Sequence, residues 1–154
     1  MTLRELSTAY NNRSDSRYPS VPVYAKTQKT FTDNSTNELR DAILAYFDLK
    51  GIKAWPVATE GRYIAEKWEA NTIGQKVQTQ KGMYIPRSKK AVGVADIAVV
   101  LPPKGRYLAI EQKLGSDRQR EGQKEFQQAI EAMGGLYIIV KTWEDFIFQV
   151  EKIL

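Results

Sequence analysis

The sequence predicts an α/β domain of order α-β-(insertion)-β-β-α-β-α, with helices covering both faces of a mixed sheet. Three observations predict it. A capping box opens an amphipathic helix near residue 35, two apolar β-prone runs flank a Pro-Pro-Lys-Gly turn, and a helical stripe leads into an apolar strand and a capped last helix.

Residues 1–34 are rich in Ser, Thr, Asn, Arg and Tyr, with Pro19 and Pro22 interrupting any helical pattern, and read as an N-terminal arm. The folded domain is expected over 35–154. In Ser35-Thr36-Asn37-Glu38, Ser35 and Glu38 can satisfy the first free amides of a helix. Leu39, Ala42, Ile43, Tyr46 and Phe47 follow at helical spacing and Gly51 stops the run, so a helix is predicted over Thr36 to Lys50. Ile52 to Val57 reads as a short strand. An insertion at about 60–90 follows, with a short helix expected around Ile64 to Ala70.

Val92 to Leu101 and Tyr107 to Gln112 are strand-like runs joined by Pro102-Pro103-Lys104-Gly105, which predicts a hairpin. Phe126, Ile130 and Met133 form a helical stripe that Gly134-Gly135 ends, and Leu136 to Val140 is a buried-type strand. Thr142 caps a helix carrying Trp143, Phe146, Ile147 and Val150. Trp55, Trp68 and Trp143 are expected in the core.

Composition narrows the chemistry. The 154 residues include neither cysteine nor histidine, which excludes disulfides, Cys nucleophiles, Ser-His-Asp triads and histidine-based nucleases, and leaves no ligands for structural zinc. Carboxylate, lysine, hydroxyl and amide chemistry remains, and oxygen donors suit hard cations such as Mg²⁺ or Mn²⁺. No apolar run reaches the roughly 20 residues that span a bilayer. The opening Met1-Thr2-Leu3-Arg4-Glu5 lacks a signal peptide's apolar stretch, so a cytoplasmic protein with no membrane partner is expected.

The net charge of +5 is concentrated. Lys76, Lys81, Arg87, Lys89 and Lys90 fall between Lys76 and Val92 with no acid among them. Removing these five from the 23 basic residues leaves 18, equal to the 18 acidic ones. A solvated loop explains such a run, but it also offers phosphate contacts to a nucleic acid, for which these five residues are the candidates.

A hairpin centred between Pro103 and Lys104 sets Asp96 directly across from Glu111, with Cβ atoms about 4.5–5.5 Å apart. Lys113, two residues beyond Glu111, falls on the same face by strand alternation. A register slip of one residue would move Asp96 to the other face. Phosphodiester hydrolysis needs a water placed in line and relief of developing charge, which two carboxylates holding a divalent ion beside an amine can supply. Taken alone, Glu111-Gln112-Lys113 reads as an edge-strand ion pair. Asp48-Leu49-Lys50 has a similar spelling but lies at a helix end, where residues two apart do not face each other, and is assigned to the surface.

Gly93-Val94-Ala95-Asp96, then Glu111-Gln112-Lys113, then Gln123 and Gly134 resemble, in order, the VRR-NUC family of the PD-(D/E)-x-K nucleases. The resemblance runs from about Glu38 to Thr142 and is strongest between Gly93 and Gly135. Ala95 stands where the family usually has proline, a residue that ligates nothing. The resemblance implies a restriction-endonuclease-like α-β-β-β-α-β core extended by the N-terminal arm and the C-terminal helix. It also implies a Mg²⁺- or Mn²⁺-dependent endodeoxyribonuclease, phage- or bacterium-encoded, dimeric and selective for branched DNA such as Holliday junctions. By the same resemblance Asp96 and Glu111 are metal ligands and Lys113 is the catalytic lysine. Gln123 reaches the site from a helix, and Glu38 binds metal directly or through water. Capping alone also explains Glu38, and a helix-surface row with Gln119 and Gln127 also explains Gln123. A non-catalytic DNA-binding module and an RNA-processing relative are the alternatives.

Overall fold

Helix α2 (Thr36–Leu49) starts where the sequence places it. Ser35 Oγ accepts from the Glu38 amide at 3.3 Å, and the Glu38 carboxylate accepts from the Asn34 amide at 3.1 Å. Gly51 has φ +70°, a conformation glycine adopts without strain, and the chain turns there into strand β1 (Lys53–Pro56). The computed structural model describes residues 1–57, 62–85 and 93–154. Among these it is mixed α/β, with four α-helices and a four-stranded mixed sheet.

That sheet holds β1, β6 (Ile97–Leu101), β7 (Arg106–Gln112) and β8 (Leu136–Val140), in the order β1-β6-β7-β8. β6 pairs antiparallel with both β1 and β7, and β7 pairs parallel with β8. The hairpin register is the one the turn predicts, running from Leu101 opposite Arg106 to Ile97 opposite Ile110. β7 is interior, and its residues Leu108 to Gln112 are all buried. Leu108 and Ile110 join the large core, while Ala109 packs on the other face with Ala95 and Tyr137.

The large core lies between the sheet and two helices, α2 and α4 (Trp143–Val150). Leu39, Ile43, Phe47, Phe146 and Val150 are fully buried, and each such side chain stabilises the fold by about 1.5–3 kcal/mol. Tyr46 and Phe47 meet Phe146 edge-on at ring separations of 5.4 and 5.7 Å. Helix α3 (Glu121–Ala132) covers the opposite face through Phe126, which lies edge-on to Tyr137. Met133, expected on that stripe, is 75% exposed because the helix has already ended at Ala132.

The arm carries structure the sequence reading did not foresee. Helix α1 (Leu3–Arg17) ends before Pro19, so the prolines bound the helix instead of preventing it. A capping box of Thr2 and Glu5 opens it, and Leu6 and Phe31 enter the large core. Trp143 Nε1 donates to the Met1 carbonyl, and the Trp143 amide donates to Asp33.

The insertion also differs from the helix its sequence predicts. Instead of a helix around residues 64–70, it forms β2 (Arg62–Ile64), β3 (Lys67–Ala70), β4 (Lys76–Gln80) and β5 (Met83–Ile85). β2 pairs with β5 and β3 with β4, both antiparallel. The segment is rich in helix-forming Ala, Glu and Lys, but Asn71 overrides that preference. Its side-chain oxygen accepts from the amides of Ile73 and Gln75, folding a turn that brings β4 back along β3. Trp68 and Trp55 are 52% and 45% exposed, unlike Trp143 at 1%, so only the last meets the core expectation.

Candidate active site

Asp96 occupies a bend one residue before β6, where the antiparallel ladder would continue to Glu111. Its backbone is fixed by the Val57 amide, which donates to the Asp96 carbonyl at 2.8 Å. Its carboxylate accepts from the Gln112 amide, also at 2.8 Å, so the side chain is turned toward the end of β7.

Glu111 belongs to the most enclosed stretch of the sheet, at 1% exposure. Its parity along β7 places it on the α3 face with Ala109. Lys113 Nζ lies 2.9 Å from Glu111 Oε1 and 3.1 Å from Asp117 Oδ2, which makes the buried ammonium a bridge between two carboxylates. Tyr137 donates its hydroxyl to the other Glu111 oxygen at 3.4 Å.

Gln123 completes the group from the first turn of α3. Its amide oxygen accepts from the Arg120 backbone N–H at 2.9 Å, which turns the amide nitrogen toward Glu111, and that nitrogen donates to Glu111 Oε1. Gly93 makes this approach feasible. Its φ is +84°, and a Cβ there would lie 2.1 Å from the Gly122 carbonyl oxygen and 2.9 Å from the Gln123 nitrogen. Only glycine lets the chain before β6 pass so close to the start of α3.

Burial raises the Glu111 carboxyl above the ordinary range, and the neighbouring Asp96 charge adds to the effect while Lys113 opposes it. Burial alone would pull Lys113 down, but hydrogen bonds and charge from Glu111 and Asp117 outweigh it and hold the ammonium above its usual value. The bond from Lys113 lowers the Asp117 carboxyl. Burial and the charge of Glu111 raise the Tyr137 hydroxyl. Lys113 is thus a cation through the whole neutral range, while Glu111 gives up its proton less readily than an ordinary carboxyl.

Four of the residues anticipated from sequence, Asp96, Glu111, Lys113 and Gln123, therefore meet at one end of β6 and β7. Glu38 is exposed and engaged in capping α2, and among the described residues no group of three or more acids gathers that could hold a metal. Asp48 is exposed and bridges to Arg13, in keeping with its surface assignment. Lys76 and Lys81 are exposed in the insertion, while Arg87, Lys89 and Lys90 lie outside the described residues. Tyr137 and Asp117 were missed. Asp117 could have been found as the acid four residues after Lys113, whereas Tyr137 needs the parallel register of β7 with β8, which pairs it with Ala109.

Replacing Gln123 with Leu removes the donor to Glu111 while keeping the volume. We expect a 10- to 100-fold loss of metal affinity or of any metal-dependent turnover, the range for groups that orient a metal ligand. Steady-state assays and calorimetric metal titration of the variant check this; values within twofold of wild type would make the contact incidental.

The described residues include no helix long and apolar enough to cross a membrane. No protein-family model matches the chain, and no curated protein matches it by sequence.

Proposed function

We propose that this chain is a divalent-metal-dependent DNA endonuclease of the VRR-NUC type within the PD-(D/E)-x-K superfamily. Its core is restriction-endonuclease-like, and it acts as a homodimer on branched DNA such as Holliday junctions. The observation that supports the reading most is the convergence of Asp96, Glu111, Lys113 and Gln123 on one end of a hairpin, with a lysine buried beside a carboxylate. Burying charges costs several kcal/mol each unless they are paired, and such perturbed groups cluster where chemistry is done.

The donor set fits Mg²⁺ or Mn²⁺. Mg²⁺ is commonly held by one or two carboxylates, with water and substrate phosphate completing the octahedron, so Asp96 and Glu111 suffice without a third acid. Burial first, and then the charge of Asp96, raises the Glu111 carboxyl, and a cation held by the pair would offset both. When bound there, the ion would supply acidified water and a polarised phosphoryl oxygen. Asp96, held by the Gln112 amide, and Glu111, held by Gln123 and Tyr137, would fix its position. Lys113 keeps its proton, so its part is to orient the attacking water or to offset charge developing on the phosphate, not to act as a base. Asp117 positions the ammonium.

The test is cleavage of linear duplex, single-stranded and four-way-junction DNA, with matched RNA, in the presence and absence of Mg²⁺. The proposal expects Mg²⁺-dependent products with the junction cut fastest. RNA cut in preference to DNA would favour the RNA-processing alternative, and binding without cleavage the non-catalytic one. Reversing charge at Arg87, Lys89 and Lys90 is expected to flatten the salt dependence of DNA binding by about 0.9 in slope per lost phosphate contact. An unchanged slope in titrations across a salt series would leave that run without a binding role.

A further inference from the structure

The two small ladders of the insertion form one two-stranded ribbon. β2 with β5 and the first pair of β3 with β4 share a register, Arg62 opposite Ile85 and Lys67 opposite Gln80, before a bulge after Lys67. From residue 62 to the Asn71 turn the ribbon extends roughly 30 Å. It pairs with no strand of the main sheet among the described residues. A lone hairpin is at best marginally stable in water, so an uncovered ribbon of this length calls for a partner.

Its surface indicates which. All three aromatic side chains are displayed, Tyr63 at 65%, Trp68 at 52% and Tyr84 at 61% exposure. Tyr63 and Tyr84 are directly paired across the strands, and the Tyr63 ring lies so close over Gly82 that a Cβ there would meet its hydroxyl at 2.0 Å. The acids of the ribbon are engaged locally, Glu69 by Lys67 at 2.7 Å and Glu66 by the Gln78 side chain at 3.0 Å. Lys76 and Lys81 are exposed with no carboxylate within bridging distance among the described residues. By strand alternation Tyr63 and Tyr84 lie on one face of the ribbon and Trp68, Lys76 and Lys81 on the other, so a single strand wrapping the ribbon would find rings to stack its bases on and cations for its phosphates.

The described residues that flank the insertion belong to the site. The chain enters the insertion after Val57, whose amide bonds to the Asp96 carbonyl, and returns at Gly93, three residues before Asp96. A second copy fits less well. A two-fold contact juxtaposes the same patch, setting Lys76 and Lys81 against an equally cationic surface whose acids are already engaged.

We infer that the ribbon of residues 62–85 is a single-stranded-DNA-binding arm, with Tyr63, Trp68 and Tyr84 stacking on unpaired bases and Lys76 and Lys81 contacting phosphates. This rests on the reading of the chain as a DNA hydrolase, and it adds that unpaired strand beside the cleavage point is the feature recognised.

The test measures binding of a labelled oligonucleotide of about 20 nucleotides, and of its duplex, to the full chain with EDTA present, so cleavage plays no part. The triple variant Tyr63→Ala, Trp68→Ala, Tyr84→Ala should bind single strand at least about tenfold more weakly and duplex within about twofold. The triple Phe variant, which keeps the rings, should stay within about threefold on both. Wild-type tryptophan emission should be quenched by single strand, and Trp68→Phe should lose most of that quenching. Single-strand affinity untouched by the Ala triple overturns the inference, as does an Ala triple that alters only the sedimentation coefficient, which would assign the ribbon to self-association. If wild type cuts DNA but its affinity ignores the ribbon, this inference alone fails. If wild type binds no DNA in any form, the hydrolase reading fails with it.

Discussion

Asp96→Asn is expected to reduce the proposed metal-dependent cleavage by at least about a thousandfold while leaving the fold and the affinity for DNA close to wild type. The substitution replaces one carboxylate oxygen by an amide and removes the negative charge that would draw the ion. It still offers an oxygen to the Gln112 amide, whose bond to Asp96 closes the end of the hairpin. Asp96→Ala should inactivate equally, but it strands that amide donor, at a cost of about 1–3 kcal/mol. Melting curves of the two variants therefore separate the structural part of Asp96 from the chemical one. Cleavage within tenfold of wild type in a folded Asp96→Asn protein would remove Asp96 from the mechanism.

Glu111→Gln separates function from stability in the opposite sense. Cleavage should fall as far as for Asp96→Asn, because the second ligand is lost, yet the metal-free protein should not be destabilised at neutral pH. The sign follows from the raised Glu111 carboxyl. A group that ionises less readily folded than unfolded favours the fold fully below its unfolded pKa, and that contribution is lost as pH rises through the folded value. Lys113, raised from an already high value, stays charged across this range and adds no slope. The melting temperature of Glu111→Gln relative to wild type should therefore increase as pH rises above about 4 in EDTA. A difference that is flat or decreases with pH would contradict the placement of a raised carboxyl at this position.

The site was legible in the sequence where local rules set geometry. A four-residue turn with Pro-Pro and Gly105 fixes a hairpin register, and register fixes which side chains share a face, so Asp96, Glu111 and Lys113 could be set together from their positions alone. Gln123 was readable only through the resemblance, since a helix surface explains a glutamine equally well; its tie to Glu111 depends on the close approach at Gly93. Tyr137 was hidden because the parallel pairing of β7 with β8 crosses α3, and no local rule sets that register. Helix α1 was obscured by its composition. It buries only Leu6, so its apolar stripe is too narrow to stand out, although Thr2 and Glu5 form the same type of capping box that identified α2. In the insertion, intrinsic helix preference lost to a side-chain-built turn and to cross-strand pairing, and the exposure of Trp68 followed from that change, whereas Trp55 is exposed on the edge strand β1.

The central claim is that Asp96 and Glu111 together hold a hard divalent ion. Titrating Mn²⁺ into the metal-free protein, with free Mn²⁺ followed by electron paramagnetic resonance, reads that directly. Wild type should show a saturable Mn²⁺ site that is lost in both Asp96→Asn and Glu111→Gln and retained in Glu38→Gln. Mn²⁺ bound equally well by all four proteins would show that the pair at the end of β6 and β7 is not the site of the ion.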